Sequence, residues 1–147
     1  METVINDEVF GEMRYKYRWY KREKLTLFGR EWDITVAAKD YSGKEITDAQ
    51  RSSYRWYLAN SAYISETIAE KLINYINTNC EALAEDWHDA RKVGTAAELD
   101  GILTPTALIV KQEGTMIVLL DCVWDEEHGI GIQIFPEYVI GSQDVFL

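Results

Sequence analysis

Two cysteines, Cys80 and Cys122, and two histidines, His88 and His128, are all that these 147 residues offer thiolate, metal or neutral-pH proton chemistry. The cysteines lack the spacing of a metal-ligand pair. A disulfide between them is disfavoured, because the opening residues METVINDEVF contain no apolar core of signal-peptide length. No run approaches the roughly 18 apolar residues of a membrane span, so a reducing cytoplasm is the expected compartment. GxSxG, a glycine-rich phosphate loop, HExxH, CxxC and the EF-hand pattern are all missing. Their absence removes the common signatures of nucleophile, nucleotide and metal chemistry, and no cofactor is implied. Nor is there a repeat, low-complexity tract or linker, so the chain is expected to be a single domain, long enough to bury roughly two thirds of its unfolded surface.

Positive charge is scarce too. Fifteen basic against 25 acidic residues leave a net charge of -10, which disfavours double-stranded nucleic acid as a partner. The basic residues are unevenly placed. Between Arg14 and Arg30 seven cations face a single acid, Glu23, giving +6, while the remaining eight cations and 24 acids give -16. The alternatives are cross-strand pairing with acids elsewhere, which comes first, and an anion-binding surface.

What is abundant is apolar patterning: 47% of residues are hydrophobic. The strongest stretch runs from Ile117 to Ile134, where IVLLDCVW and IGIQI flank DEEHG, predicting an antiparallel hairpin with the polar residues in its loop. Upstream, Val9 to Trp19 alternates as one strand, with Met13, Tyr15, Tyr17 and Trp19 on one face and Arg14, Lys16 and Arg18 on the other. A turn at Lys21 to Glu23, a second strand through Leu25 and Leu27, a turn or bulge at Phe28 and Gly29, and a third strand through Trp32, Ile34 and Val36 complete a meander. Thr47 to Gln50, TDAQ, is a capping box that starts a helix. Ile64, Ile68, Leu72 and Ile76 predict a second helix from Ser61 to about Asn79. Cys80 to Val93, with Trp87 and His88, fits a frayed helix or a loop; Thr95 to Glu98 repeats the capping-box pattern before a short helix. Thr106 to Val110 is a strand, and Tyr138 to Ile140 with Val145 to Leu147 supplies an edge strand beyond Pro136. The expected fold is therefore α+β: an antiparallel sheet made from an N-terminal three-strand meander and C-terminal hairpin strands, with two or three central helices packed on one face.

Three groups of residues offer chemistry. In the hairpin, Asp121, Asp125, Glu126, Glu127 and His128 gather four carboxylates and an imidazole, so Asp125, Glu127 and His128 could ligate a metal, and Asp121, Asp125 and His128 could serve a hydrolase. Turn chemistry explains the same residues, with Asp125 accepting a backbone N–H and Gly129 adopting a left-handed conformation. If Trp124 pairs with Ile130, Asp121 sits buried opposite Gln133 and must be hydrogen-bonded or shifted in pKa; a loop one residue shorter sets it among Ile130, Ile132 and Ile134. Cys122 points to the face opposite Asp121, which makes a Cys, His, Asp triad awkward. In the basic strand, Arg14, Lys16, Arg18 and Trp19 could hold an anion or single-stranded nucleic acid. Tyr15, Tyr17, Trp19, Trp32, Tyr54, Trp56 and Tyr57 form either a stacking platform or, more plainly, core.

The run Asp121, Cys122, Val123, Trp124, Asp125, Glu126, Glu127, His128, Gly129, Ile130, Gly131 resembles the signature hairpin of a bacterial domain-of-unknown-function family. Val9, Phe10 and Gly11, and Thr47 to Gln50 followed by Tyr54, are similar to it as well. The likeness covers most of the chain and is loosest from Cys80 to Leu99. It implies small bacterial cytoplasmic proteins, immunity-protein-like in size and style, with no catalytic residues to carry over. The function expected first is a non-enzymatic protein-binding module whose acidic body suits a basic toxin domain. The alternatives are the hairpin-centred enzyme and the anion binder. An exposed apolar hairpin face would favour a homodimer.

Overall fold

The computed structural model describes residues 3–40, 45–83 and 90–147. Among them eight strands form one sheet in chain order: β1 (Thr3–Asp7), β2 (Gly11–Lys16), β3 (Arg18–Leu27), β4 (Arg30–Ala38), β5 (Leu103–Val110), β6 (Met116–Cys122), β7 (Asp125–Phe135) and β8 (Val139–Gly141). Every neighbouring pair is antiparallel except β4 and β5, whose connection carries the helices α1 (Asp48–Ala59), α2 (Ser61–Leu83) and α3 (Ala96–Leu99). The α+β fold expected from the sequence is thus the fold observed. No helix among the described residues is long and apolar enough to cross a membrane.

The N-terminal meander has four strands, not three. The chain reverses at Tyr17, between the paired residues Lys16 and Arg18, and Lys21 to Glu23 lie within β3. Tyr17 sits at φ +70° and is 88% exposed, so it leaves the apolar face assigned to it. A single-residue turn keeps the parity of the strand: Tyr15 pairs directly with Trp19, and the alternation runs through the reversal unbroken. The turn expected at Phe28 and Gly29 is present, with both residues at positive φ between Leu27 and Arg30, as a two-residue hairpin requires.

The helices begin where the sequence places them. Thr47 Oγ1 accepts the Gln50 N–H at 3.1 Å, and Gln50 Oε1 accepts the Thr47 N–H at 2.8 Å. The Gln50 amide then donates to the carbonyls of Lys39 and Val110, tying the start of α1 to the ends of β4 and β5. Ile64, Ile68, Leu72 and Ile76 are fully buried along α2, which lies across the sheet and touches both β3 and β7. Thr95 precedes α3 without a side-chain cap bond, so its capping box does not form. Trp32, Ile34, Val36, Leu108, Val118 and Ile132 face this helical layer.

The opposite face is divided. Over β5 to β7 the buried pair Ile109 and Ile117 is covered from the C-terminal side: after β8 a 3₁₀ turn, Gln143–Val145, brings Phe146 back over Gly131. Val145 to Leu147 is therefore a covering segment and not part of an edge strand. Over β1 to β4 the same face is polar. Cys80 and Cys122 are both buried and unpaired.

Candidate functional site

In the hairpin, the turn is Val123 and Trp124, because Cys122 pairs with Asp125; DEEHG lies inside β7 and not in the loop. The ladder then slips. Leu120 pairs with Ile130, so Asp121 stands opposite the four residues Glu126 to Gly129, a bulge in place of the even register expected. Asp121 is exposed beside its partner Thr104 on β5, and Gln133 pairs with Ile117, which overturns the buried acid facing Gln133. A slip restricted to one arm is invisible in the apolar pattern, which fixes faces but not the number of residues between them.

Asp125, His128 and Gln143 hold the bulge in shape. Asp125 Oδ1 accepts the His128 N–H at 3.1 Å and lies 3.0 Å from His128 Nδ1, and this bond raises the imidazole above its usual pKa. Gly129 takes φ +62°, and the Leu120 carbonyl freed by the slip accepts Gln143 Nε2 at 2.9 Å. The Cys122 thiol is buried and its pKa pushed up by that burial, the opposite of an activated nucleophile. A shallow hollow of about 330 Å³ beside the bulge is lined by Thr104, Asp121, Cys122, Val123 and Glu126, without His128. The enzyme triad of Asp121, Asp125 and His128 is not assembled there. Neither is the metal trio of Asp125, Glu127 and His128, since no group of three or more candidate ligands converges among the described residues. Trp87 and His88 lie outside the described residues.

The basic strand is split by its own alternation. Arg14, Lys16 and Arg18 stand on the polar face, whereas Trp19 is buried on the helical face, edge-on to Tyr15 at 5.0 Å. Of the proposed stacking residues, Trp19, Trp32, Tyr54 and Tyr57 belong to the core. Lys24 pairs across the strands with Asp33 and Arg30 reaches Asp100, as the plainer account expects, whereas Arg14 and Lys21 pair along their own strands with Glu12 and Glu23.

The feature with room for a ligand lies elsewhere. The ladder between β2 and β3 runs only from Arg14 and Tyr20 to Lys16 and Arg18, so beyond Tyr20 strand β3 has β4 on one side and, among the described residues, no strand on the other. Along this open edge runs a groove of about 710 Å³ between Glu23 to Gly29 and the junction of α1 with α2, lined there by Tyr54, Tyr57, Leu58, Ala62, Ser65 and Glu66. The Thr26 carbonyl points across it and accepts Ser65 Oγ at 2.6 Å. By the two-residue period of a strand, Arg22 and Lys24 present their main-chain groups to the same side. The Lys24 N–H reaches only the carboxylate of its neighbour Glu23, at 3.4 Å.

The floor of the groove is aromatic and fixed from below. Asp7 accepts the N–H groups of Val9 and Phe10 and Arg51 Nε at 2.8 Å. Burial raises the Asp7 carboxyl, but these bonds more than offset it and hold the pKa below the usual value. The turn so held places Phe10 on Tyr54, ring centroids 4.3 Å apart, and Tyr54 on Tyr57 at 5.7 Å. Lys21 donates to the Phe10 carbonyl at 2.7 Å and lies over the Tyr54 ring. Burial, with Tyr54 and Glu23 nearby, pushes the Tyr57 hydroxyl up to about 12. The Tyr54 hydroxyl is buried without a hydrogen-bond partner among the described residues. Sequence reading missed this site because Tyr54 and Tyr57 look like any core stripe of a helix; the unbranched basic run of β3 gives no sign that its partner strand stops short.

The chain belongs to the family described as "Domain of unknown function (DUF6985)", which matches it over residues 9–147. No curated protein and no solved structure matches the chain.

Proposed function

We propose that this member of the family is a non-enzymatic protein-binding module that takes an extended segment of a partner by strand addition on β3. The observation that carries the reading is the edge from Arg22 to Thr26, which lacks a neighbouring strand and opens onto an aromatic-floored groove. Strand addition uses such an edge: main-chain bonds supply affinity and alternate side chains enter pockets for specificity. One row of the added side chains would meet Leu58 and Ala62, both exposed on the helical wall, and Glu66 beside them favours a segment carrying lysine or arginine. The charge of -16 outside the basic window favours a basic partner in the same way. The fuller reading, a bacterial, cytoplasmic, immunity-like protein that blocks a basic toxin domain, is supported by the resemblance and this charge balance.

A displayed library of random octapeptides tests it. Selected peptides should protect the amides of Arg22, Lys24 and Thr26 from hydrogen exchange. Lys24→Pro, which removes an outward N–H, and Leu58→Glu should each weaken them about tenfold or more. Selected peptides that leave those amides unprotected, or that bind Leu58→Glu as well as wild type, would sink the proposal.

A further inference from the structure

On the polar face, away from the helices and the groove, four cations stand in one cross-strand row. Lys16 and Arg18 are direct partners in the ladder of β2 and β3. The pairing of Trp19 with Ala38, continued by one residue, sets Arg18 beside Lys39. The parallel pairing of Ala38 with Val110, likewise continued, sets Lys39 beside Lys111, and the Lys39 N–H donates to the Val110 carbonyl at 2.9 Å. All four alternate with core residues, Trp19, Ala38 and Val110, so all share the outer face. With about 4.8 Å between strands, the row is roughly 14 Å long.

Like charges directly opposite one another are destabilising, and this chain has acids to spare. Elsewhere it uses them, as in the 2.6 Å pair of Lys24 with Asp33. None of the four row cations has an ion pair among the described residues. Lys39 shows the consequence: its ammonium is depressed first by burial and then by Lys111 and Arg18, with Glu113 opposing. Asp40, the nearest acid in sequence, instead accepts the Tyr15 hydroxyl on the other face, at 3.1 Å. A hollow of about 290 Å³ lies at the row's end, bordered by Lys39, Asp40, Lys111, Gln112, Glu113 and Leu147.

We propose that this row binds an extended acidic segment of a protein. An extended chain places same-side residues roughly 6.6 Å apart, so two or three Asp or Glu side chains match a row of this length. Nucleic acid fits less well. In the adjoining row Ala37, Ile109 and Ile117 are buried, and the aromatics of this face, Tyr17 at the hairpin tip and the half-buried Tyr20, lie only at the Lys16 and Arg18 end, so bases find no stacking surface along the rest of the row.

The test uses the whole chain and fluorescence anisotropy with a labelled peptide of alternating Glu and Ser, an all-Ser control, and a labelled oligothymidylate. The acidic peptide should bind and the control should not. Lys16→Glu with Arg18→Glu should weaken it about tenfold or more, whereas the equal charge change Arg55→Glu with Lys92→Glu, off the row, should weaken it by no more than about threefold. Arg18→Glu alone, which turns the repulsion from Lys16 and Lys39 into attraction, should also keep or raise the thermal midpoint. Equal losses in the two double variants, a lowered midpoint in Arg18→Glu, or tighter binding of oligothymidylate than of the acidic peptide would each overturn the assignment.

Discussion

The regular ladder breaks at several places among the described residues, and two of them are finished in opposite ways. At β6 and β7 the register slips, and the slip is closed over: Gln143 caps the Leu120 carbonyl, Asp125 takes the His128 N–H, and Phe146 lies over Gly131. At β3 the ladder with β2 stops at Tyr20, and the edge stays open: among the described residues the Lys24 N–H has a 3.4 Å bond to its own neighbour, and the buried Tyr54 hydroxyl beneath has no partner. The region that looks most chemical in sequence therefore spends its polar residues on holding its shape. The region with no motif keeps polar groups in reserve, and reserve is what binding needs.

The largest expected effect comes from opening the sealed region. At Gly129 an added Cβ would stand 2.7 Å from the Leu120 oxygen and 2.5 Å from Gln143 Nε2, on a backbone at φ +62°. Gly129→Ala should cost about 2–4 kcal/mol, combining left-handed strain with displacement of the cap. Gly29 has the same kind of backbone, φ +81°, with nothing within 4 Å, so Gly29→Ala should cost only about 1 kcal/mol. Urea unfolding measures both. Equal losses would mean that the C-terminal segment does not seal the bulge, and the contrast between the two regions would fail.

Which features were legible follows from the range of the interactions. The capping box at Thr47 and Gln50, and the isoleucine and leucine stripe of α2, depend on residues three or four apart, and both were readable. The reversal at Tyr17 was not, because a one-residue turn preserves the alternation that a strand reader counts. The bulge at Asp121 hid for a related reason: its cause is Gln143, 23 residues from the carbonyl it caps. The basic window from Arg14 to Arg30 was seen, but its neighbours Lys39 and Lys111 arrive through the registers of β4 and β5, which no local pattern encodes.

A smaller effect, of opposite sign in the two regions, sharpens the comparison. Tyr54→Phe deletes a buried hydroxyl that has no partner among the described residues, so it should stabilise the free protein by about 1 kcal/mol and leave groove-bound peptides unaffected. Gln143→Ala leaves the Leu120 carbonyl without its donor and should destabilise by about 1–2 kcal/mol, with no effect on those peptides. Thermal unfolding with peptide titration reads both. A loss of stability in Tyr54→Phe would show that its hydroxyl is satisfied after all, and that the β3 edge is as finished as the bulge.

The smallest effect is a pH slope that should belong to the sealed region alone. His128 is exposed, and its hydrogen bond to Asp125, then the charges of Asp125, Glu127 and Asp144, raise it above 6.5 against a slight opposing effect of burial. A folded pKa above the unfolded one means that the pair's contribution is fully present below about pH 6.5 and is lost as pH rises through the folded value. Stability should therefore fall slightly from about pH 6 to about pH 8, and His128→Asn, which keeps the main-chain N–H bonded to Asp125, should reduce that slope. Groove affinity should not respond to the substitution, since His128 lies on β7 and the groove on β3. An unchanged stability slope in His128→Asn would mean that the ring's pairing with Asp125 is not retained in solution, and only the main-chain bond would then shape the bulge.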